Sequence, residues 1–331
     1  MTTSVDSHQY DAALSRRRNG RKRCASAGLL AVVAGLSLGS TGLAGCAATA
    51  RRLTAPGLAA AAATQIAKSR DGLFDVGSHL LYLRCEGAGS PTVVYLHGII
   101  VTNGGSQSSG SIPGYLRGHV RVCVYDRANV GLSTKVTGPL TGNDSIRDLH
   151  TLLAAAREPG PYVLLGASFG GLLAVMYAAT YPEEIAAMVL LDASLPNDPE
   201  LDERFLPKAA QLQSGDWRGN VEQMDTLTTY RQAQNIQSRV PSIPLTYLAV
   251  RKPDLDPAWP VAQMTAAIQA EQHAFVARFC PGRLILRDVP HFMEKAIPRE
   301  VANEVMRIIA ITAHPPRCTA RVYSSDRLKH S

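Results

Sequence analysis

Residues 162–177, YVLLGASFGGLLAVMY, constrain this chain more tightly than any other stretch. The segment opens as an unbroken apolar run of strand length. It passes through Gly166-Ala167-Ser168-Phe169-Gly170 and continues as a second apolar run. A strand with no polar alternation is one covered on both faces. The G-x-S-x-G spacing suits a strand that turns sharply into a helix with the serine at the apex. Glycines on either side remove the Cβ atoms that would strike the neighbouring backbone. A serine held there stands clear of the main chain. The helix behind it leaves unpaired N–H groups and a partial positive charge at its start. A serine hydroxyl is a weak nucleophile until a base takes its proton. Ser168 as a nucleophile therefore asks for a histidine, and an acid to orient it, elsewhere in the chain.

Around this segment the pattern alternates. Residues 73–76 and 80–85 form two strand runs about a Gly77-Ser78 turn, and residues 93–96 form an unbroken apolar strand ending in His97-Gly98. Further strand patterns cover residues 120–125, 162–165, 188–191 and 245–250, with a last one at Ile285-Leu286. Helical spacing links Ile146, Leu149, Leu152 and Leu153, and helices are expected over residues 172–177 and 298–311. Strands alternating with helices imply an α/β architecture with a mostly parallel sheet covered on both faces. A polar, mixed stretch at about 194–243 reads as a small helical cap inserted between two strands.

The order serine, acid, histidine is available. His291, in Asp288-Val289-Pro290-His291-Phe292, directly follows the last strand, where a loop can carry it over the sheet edge. For the acid, Asp254 is favoured because it follows the strand 245–250 at loop distance. Asp192, at the end of the preceding strand, and Asp256 remain alternatives. Such an acid fixes the histidine tautomer and stabilises the imidazolium. The Phe169 and Ile99 N–H groups are the expected donors to a developing oxyanion.

The run Tyr125-Asp126-Arg127-Ala128-Asn129-Val130-Gly131-Leu132-Ser133 resembles the D-R-x-G-x-G-x-S segment of α/β-hydrolase-fold enzymes. Pro161 through Gly171 and Val189-Leu190-Leu191-Asp192-Ala193 extend the resemblance over about residues 72–312. Ala167 replaces a common histidine, Asn129 stands where glycine is usual, and the loop Arg251-Lys252-Pro253-Asp254 lacks its usual glycine. The resemblance implies an eight-stranded α/β-hydrolase fold. It also implies ester hydrolysis through an acyl-enzyme on Ser168, with no metal and no organic cofactor. Thioesterase, haloperoxidase and prolyl aminopeptidase activities belong to the same fold, and a non-catalytic envelope binding protein is the alternative from another class. The implied fold sets the strands carrying Cys85 and Cys123 side by side, so that pair is expected as a disulfide, with Cys280–Cys318 as a second.

The net charge of +7 is unevenly placed. Arg16, Arg17, Arg18, Arg21, Lys22 and Arg23 give residues 1–45 a charge of +4, leaving 28 basic against 25 acidic residues in the rest. Nucleic acid requires a basic face on the folded domain, and this near balance of charge gives little sign of one. A basic run followed by an apolar one is instead the layout of an export signal. The apolar run ends in Leu43-Ala44-Gly45-Cys46, which resembles a bacterial lipoprotein lipobox, with Cys46 as the lipid-bearing residue. The expected organisation is a signal peptide over 1–45, an Ala-rich tether over 46–70, a hydrolase domain over 71–313 and a polar tail over 314–331. The domain would lie outside the cytoplasm, lipid-anchored to the membrane through Cys46, or secreted. Its expected partner is a small-molecule or lipid ester substrate.

Overall fold

The computed structural model describes residues 69–99, 105–212 and 216–314. The expected signal peptide, Cys46, Cys318 and residues 315–331 of the expected tail lie outside the described residues.

Eight strands form one sheet in the order β1-β2-β4-β3-β5-β6-β7-β8. They are β1 (Arg70–Asp75), β2 (Leu80–Glu86), β3 (Thr92–Leu96), β4 (Val122–Tyr125), β5 (Tyr162–Ala167), β6 (Ile185–Leu191), β7 (Leu245–Val250) and β8 (Gly282–Arg287). β1 and β2 run antiparallel at one edge, and β3 to β8 are parallel. Strand β3 passes its chain to β4 on one side while β5 pairs on the other, so the carboxyl end of β3 lies beside that of β5.

The unbroken apolar strands are explained by two cores. Val94, Leu96, Leu164, Met188 and Leu190 face one layer, where they meet helices α2 (Gly142–Ala155) and α3 (Phe169–Thr180). Val93, Tyr95, Val163, Leu165, Val189 and Leu191 face the other, against the short α1 (Ile112–Leu116) and the C-terminal α8 (Pro298–Ala313). The two-residue alternation of a strand sends successive side chains into opposite cores. Helix α3 is buried along almost its whole length, which is why its sequence shows no polar stripe. α8 has one buried face, set by Val301, Ala302, Val305 and Ile308.

Between β6 and β7 lie α4 (Asp198–Phe205) and α5 (Thr226–Ile236). α5 is tied into the helical layer: Tyr230 and Ala233 join the first core, and the Gly142 N–H donates to Thr229 Oγ1 at 2.9 Å. Asp225 caps α5 by accepting from the Thr228 N–H. Helix α6 (Val261–Val276) connects β7 to β8, and α7 (Met293–Ala296) follows His291. The sequence pattern gives no sign of α6, because Ala and Gln dominate it and only Met264, Gln272, Phe275 and Val276 are buried.

Cys85 and Cys123 face each other across the β2–β4 pairing and form a disulfide. Cys280 is also disulfide-bonded.

Candidate active site

Ser168 sits between the end of β5 and the first residue of α3, with φ 52° and ψ −126°. This left-handed φ is unfavourable for a residue with a side chain, and the surroundings over-determine it. The Ser168 N–H donates to Leu191 O at 2.9 Å, and its carbonyl accepts from the Gly171 and Ser194 N–H groups at 2.8 and 3.0 Å. Two glycines make room for the turn. A Cβ at Gly170 would stand 2.1 Å from Leu96 O and 2.4 Å from His97 O. A Cβ at Gly98 would stand 3.2 Å from Ser168 Cβ. The loop after β3 is thus pressed against the serine.

Both expected oxyanion donors flank this point. Phe169 opens α3, so its N–H has no helical acceptor. Ile99 follows Gly98 directly. Neither N–H has an acceptor among the described residues.

The structure pairs His291 with Asp192 and not with Asp254. His291 Nδ1 lies 2.6 Å from Asp192 Oδ2. The other carboxylate oxygen accepts from the Val250 N–H at 3.0 Å. Asp192 is therefore gripped by the end of β7 while it reaches the histidine carried beyond β8. Asp254 is exposed, and Asp256 is engaged in its own turn, where Oδ1 accepts from the Ala258 N–H. The favoured acid was one strand too late because the loop after β7 is drawn elsewhere. Its Arg251 N–H bonds to Arg287 O, and Arg251 O accepts from Gln269 Nε2.

The hydrogen bond that His291 donates to Asp192 is the main cause that raises the His291 pKa above its ordinary value, and it outweighs the opposing effect of burial. Because Nδ1 faces the carboxylate, Nε2 is the ring nitrogen left for other chemistry. Ser168 and Asp192 lie at the carboxyl ends of the paired strands β5 and β6. Ser168 Oγ has no hydrogen-bond partner among the described residues. The bond between nucleophile and base commonly tightens only when substrate is bound.

The resembling segment 125–133 has a defined job. Arg127 is 3% exposed and Glu222 is fully buried. Arg127 Nε and Nη2 meet the Glu222 carboxylate at 2.7 and 2.8 Å. The same guanidinium donates to His97 O and Gly98 O, both at 2.7 Å. Burial tends to lower the Arg127 pKa, and the carboxylate reverses that and raises it. The ring of His97 is wholly buried, and burial with the nearby Arg127 charge holds its pKa well below the ordinary value. A buried ion pair thus pins the loop carrying Gly98 and Ile99. Asn129, where glycine is usual, adopts φ 70°. Its amide holds that conformation by donating to Glu222 O and accepting from the Val136 N–H. Asn tolerates this region better than most residues. Glu222 carries no local sequence signal, since a glutamate in a polar stretch reads as surface.

A family model described as the α/β hydrolase fold matches residues 91–242. The uncharacterized protein YbdG of Bacillus subtilis is 27% identical over 136 residues, which is 39% of each chain. The matches span only 15% to 39% of the length of the curated relatives. Among solved structures, Cfl2 from Burkholderia cenocepacia superposes with a TM-score of 0.53 at 16% identity, covering 74% of this chain and 97% of that one. A putative lipase from Acinetobacter baumannii gives 0.51 at 14% identity, covering 80% and 99%. At such identities the likeness concerns the fold alone. The chain has the α/β-hydrolase fold, with its eight-stranded, mostly parallel sheet.

Proposed function

We propose that this protein is a serine hydrolase that cleaves carboxylic esters through an acyl-enzyme on Ser168. The observation that carries the reading is the Asp192–His291 pair, held at the same sheet edge as a serine in a left-handed turn. His291 Nε2 takes the Ser168 proton as Oγ attacks the ester carbonyl. Asp192 keeps Nδ1 protonated and stabilises the imidazolium that forms. The oxyanion is met by the Phe169 and Ile99 N–H groups, which need no reorganisation because helix α3 and the Arg127-braced loop already fix them. His291 then returns the proton to the leaving alcohol. Water, activated by the same imidazole, releases the acid and restores Ser168.

The reading extends to location. The basic and apolar runs before Cys46 mark export, and a lipid on Cys46 would keep the enzyme on the outer side of the membrane. A disulfide between buried cysteines fits an oxidising compartment. Fluorophosphonate labelling and p-nitrophenyl ester turnover test the chemistry: both should vanish in Ser168→Ala. Turnover unchanged in that variant rejects the proposal. Loss of membrane association in Cys46→Ala tests the anchor.

A further inference from the structure

Hydrogen bonds hold each residue of the segment that carries the proposed acid. Asp192 leaves β6 with φ 39°, a left-handed value that a residue with a side chain adopts only under constraint. Its N–H donates to Leu248 O at 2.7 Å, and its Oδ1 accepts from the Val250 N–H. The carbonyl of the next residue, Ala193, accepts from the Tyr247 hydroxyl at 2.6 Å. The Ser194 N–H donates to Ser168 O, and the Leu195 N–H to Asp198 Oδ2. Packing is incomplete on one side of this segment, because residues 192–195 form part of the wall of a cavity of about 270 Å³. A segment that borders a cavity lacks contact atoms there and can shift into it, so its polar contacts decide where it stays.

Tyr247 is the side chain from the sheet that grips this main chain. It is 1% exposed and points from β7 into the first core. Burial, followed by the Asp192 and Asp198 charges, holds its pKa well above the ordinary value, so it remains a donor through neutral pH. The Gln272 side chain, from α6, hydrogen-bonds the same hydroxyl. With the hydroxyl hydrogen committed to Ala193 O, Gln272 meets it as a donor and so turns that hydrogen toward the carbonyl. Two elements, β7 and α6, thus combine on a carbonyl one residue from the acid.

We propose that Tyr247 is a positioning residue for the reaction proposed above: through Ala193 O its hydroxyl holds the turn at Asp192 and keeps Oδ2 on His291 Nδ1. Without the hydroxyl, Ala193 O becomes a buried acceptor with no donor, and the turn relaxes toward the cavity to satisfy it. The carboxylate moves with the turn. The role rests on the serine-hydrolase reading, whereas the geometry it maintains is measurable without turnover.

The test compares Tyr247→Phe with Tyr162→Phe in the purified full chain. Tyr162 stands at the opposite end of β5 from Ser168 and loses an equivalent buried bond, from its hydroxyl to Glu158 O at 2.8 Å. The His291 imidazole is titrated by NMR of its Cε1–H, assigned with His291→Gln. Its raised pKa should fall toward the ordinary value in Tyr247→Phe and hold in Tyr162→Phe. Glu294, the other charged group acting on the ring, is untouched by either change. On a p-nitrophenyl ester, kcat of Tyr247→Phe should drop on the order of tenfold to 10²-fold with KM little moved. The acid limb of turnover should move to lower pH. Tyr247→p-aminophenylalanine, which restores a donor on the same ring, should recover both. Should Tyr247→Phe fail to fold, Gln272→Met, which frees the hydroxyl to turn away, is held to the same expectation. An unchanged His291 titration, or the same shift in Tyr162→Phe, overturns the proposal. If Ser168→Ala keeps its turnover, it is the hydrolase reading that fails, and the titration still decides whether Tyr247 holds Asp192.

Discussion

The Arg127–Glu222 pair permits a sharp test of how the loop carrying Gly98 and Ile99 is held. Glu222→Ala leaves the guanidinium buried, with two carbonyl acceptors but no counter-charge. Breaking a buried pair by removing one partner typically costs about 3–5 kcal/mol. For a domain of this size about 1 kcal/mol moves Tm by roughly 2–4 °C, so a fall on the order of 6–20 °C is expected. The double variant Arg127→Met/Glu222→Leu removes both charges and should regain part of that loss. Recovery should be incomplete, because His97 O and Gly98 O lose their donors and each orphaned acceptor costs roughly 1–3 kcal/mol. Urea denaturation followed by circular dichroism gives the free energies. The kcat of folded Glu222→Ala on a p-nitrophenyl ester reports the loop, and should fall more than KM rises if Ile99 is displaced in the transition state. A Glu222→Ala variant within about 1 kcal/mol of the wild type would refute the reasoning.

Four further outcomes follow from the structure. Asp192→Asn should lower kcat by about 10⁴-fold, the loss expected when the histidine tautomer is no longer fixed, whereas Asp254→Asn should leave it nearly unchanged; the reverse pattern would reinstate Asp254. In the proposed mechanism catalysis requires neutral His291, whose pKa is raised above 6.5, so the acid limb of kcat/KM should fall above pH 6.5 and move lower in Asp192→Asn. The stability that the pair contributes is present below the unfolded histidine pKa and lost as pH rises through the folded one, which denaturation of the two proteins across that window checks. Replacing Cys85 and Cys123 by alanine opens a loop closed at a separation of 38 residues, and denaturation should show a loss of about 4 kcal/mol.

Where a feature is written in contiguous residues, sequence reasoning finds it. The turn at Ser168 needs small residues at fixed offsets, and buried parallel strands need unbroken apolar runs, so both stand out along the chain. His291 is reached by the same route, since it directly follows a strand. The acid is different. Asp192 and Asp254 both end strand patterns, and only the lateral order β6-β7-β8 together with the Val250 N–H decides which carboxylate meets the imidazole. Glu222 and Gln272 are harder still. One lies in a polar loop and the other in a helix of weak amphipathic pattern, and each matters only through a partner far away in sequence.

The position of the acid and the cavity beside it have one physical origin. A carboxylate after β7 would require residues 251–256 to turn back toward His291. Instead Pro253 and Leu255 line the cavity, and the backbone of Arg251 is held by Arg287 and Gln269. With the acid supplied from β6, that loop is released from the catalytic geometry and is available to shape a pocket. Asp192 belongs to both: it orients His291 through Oδ2 and contributes to the cavity wall.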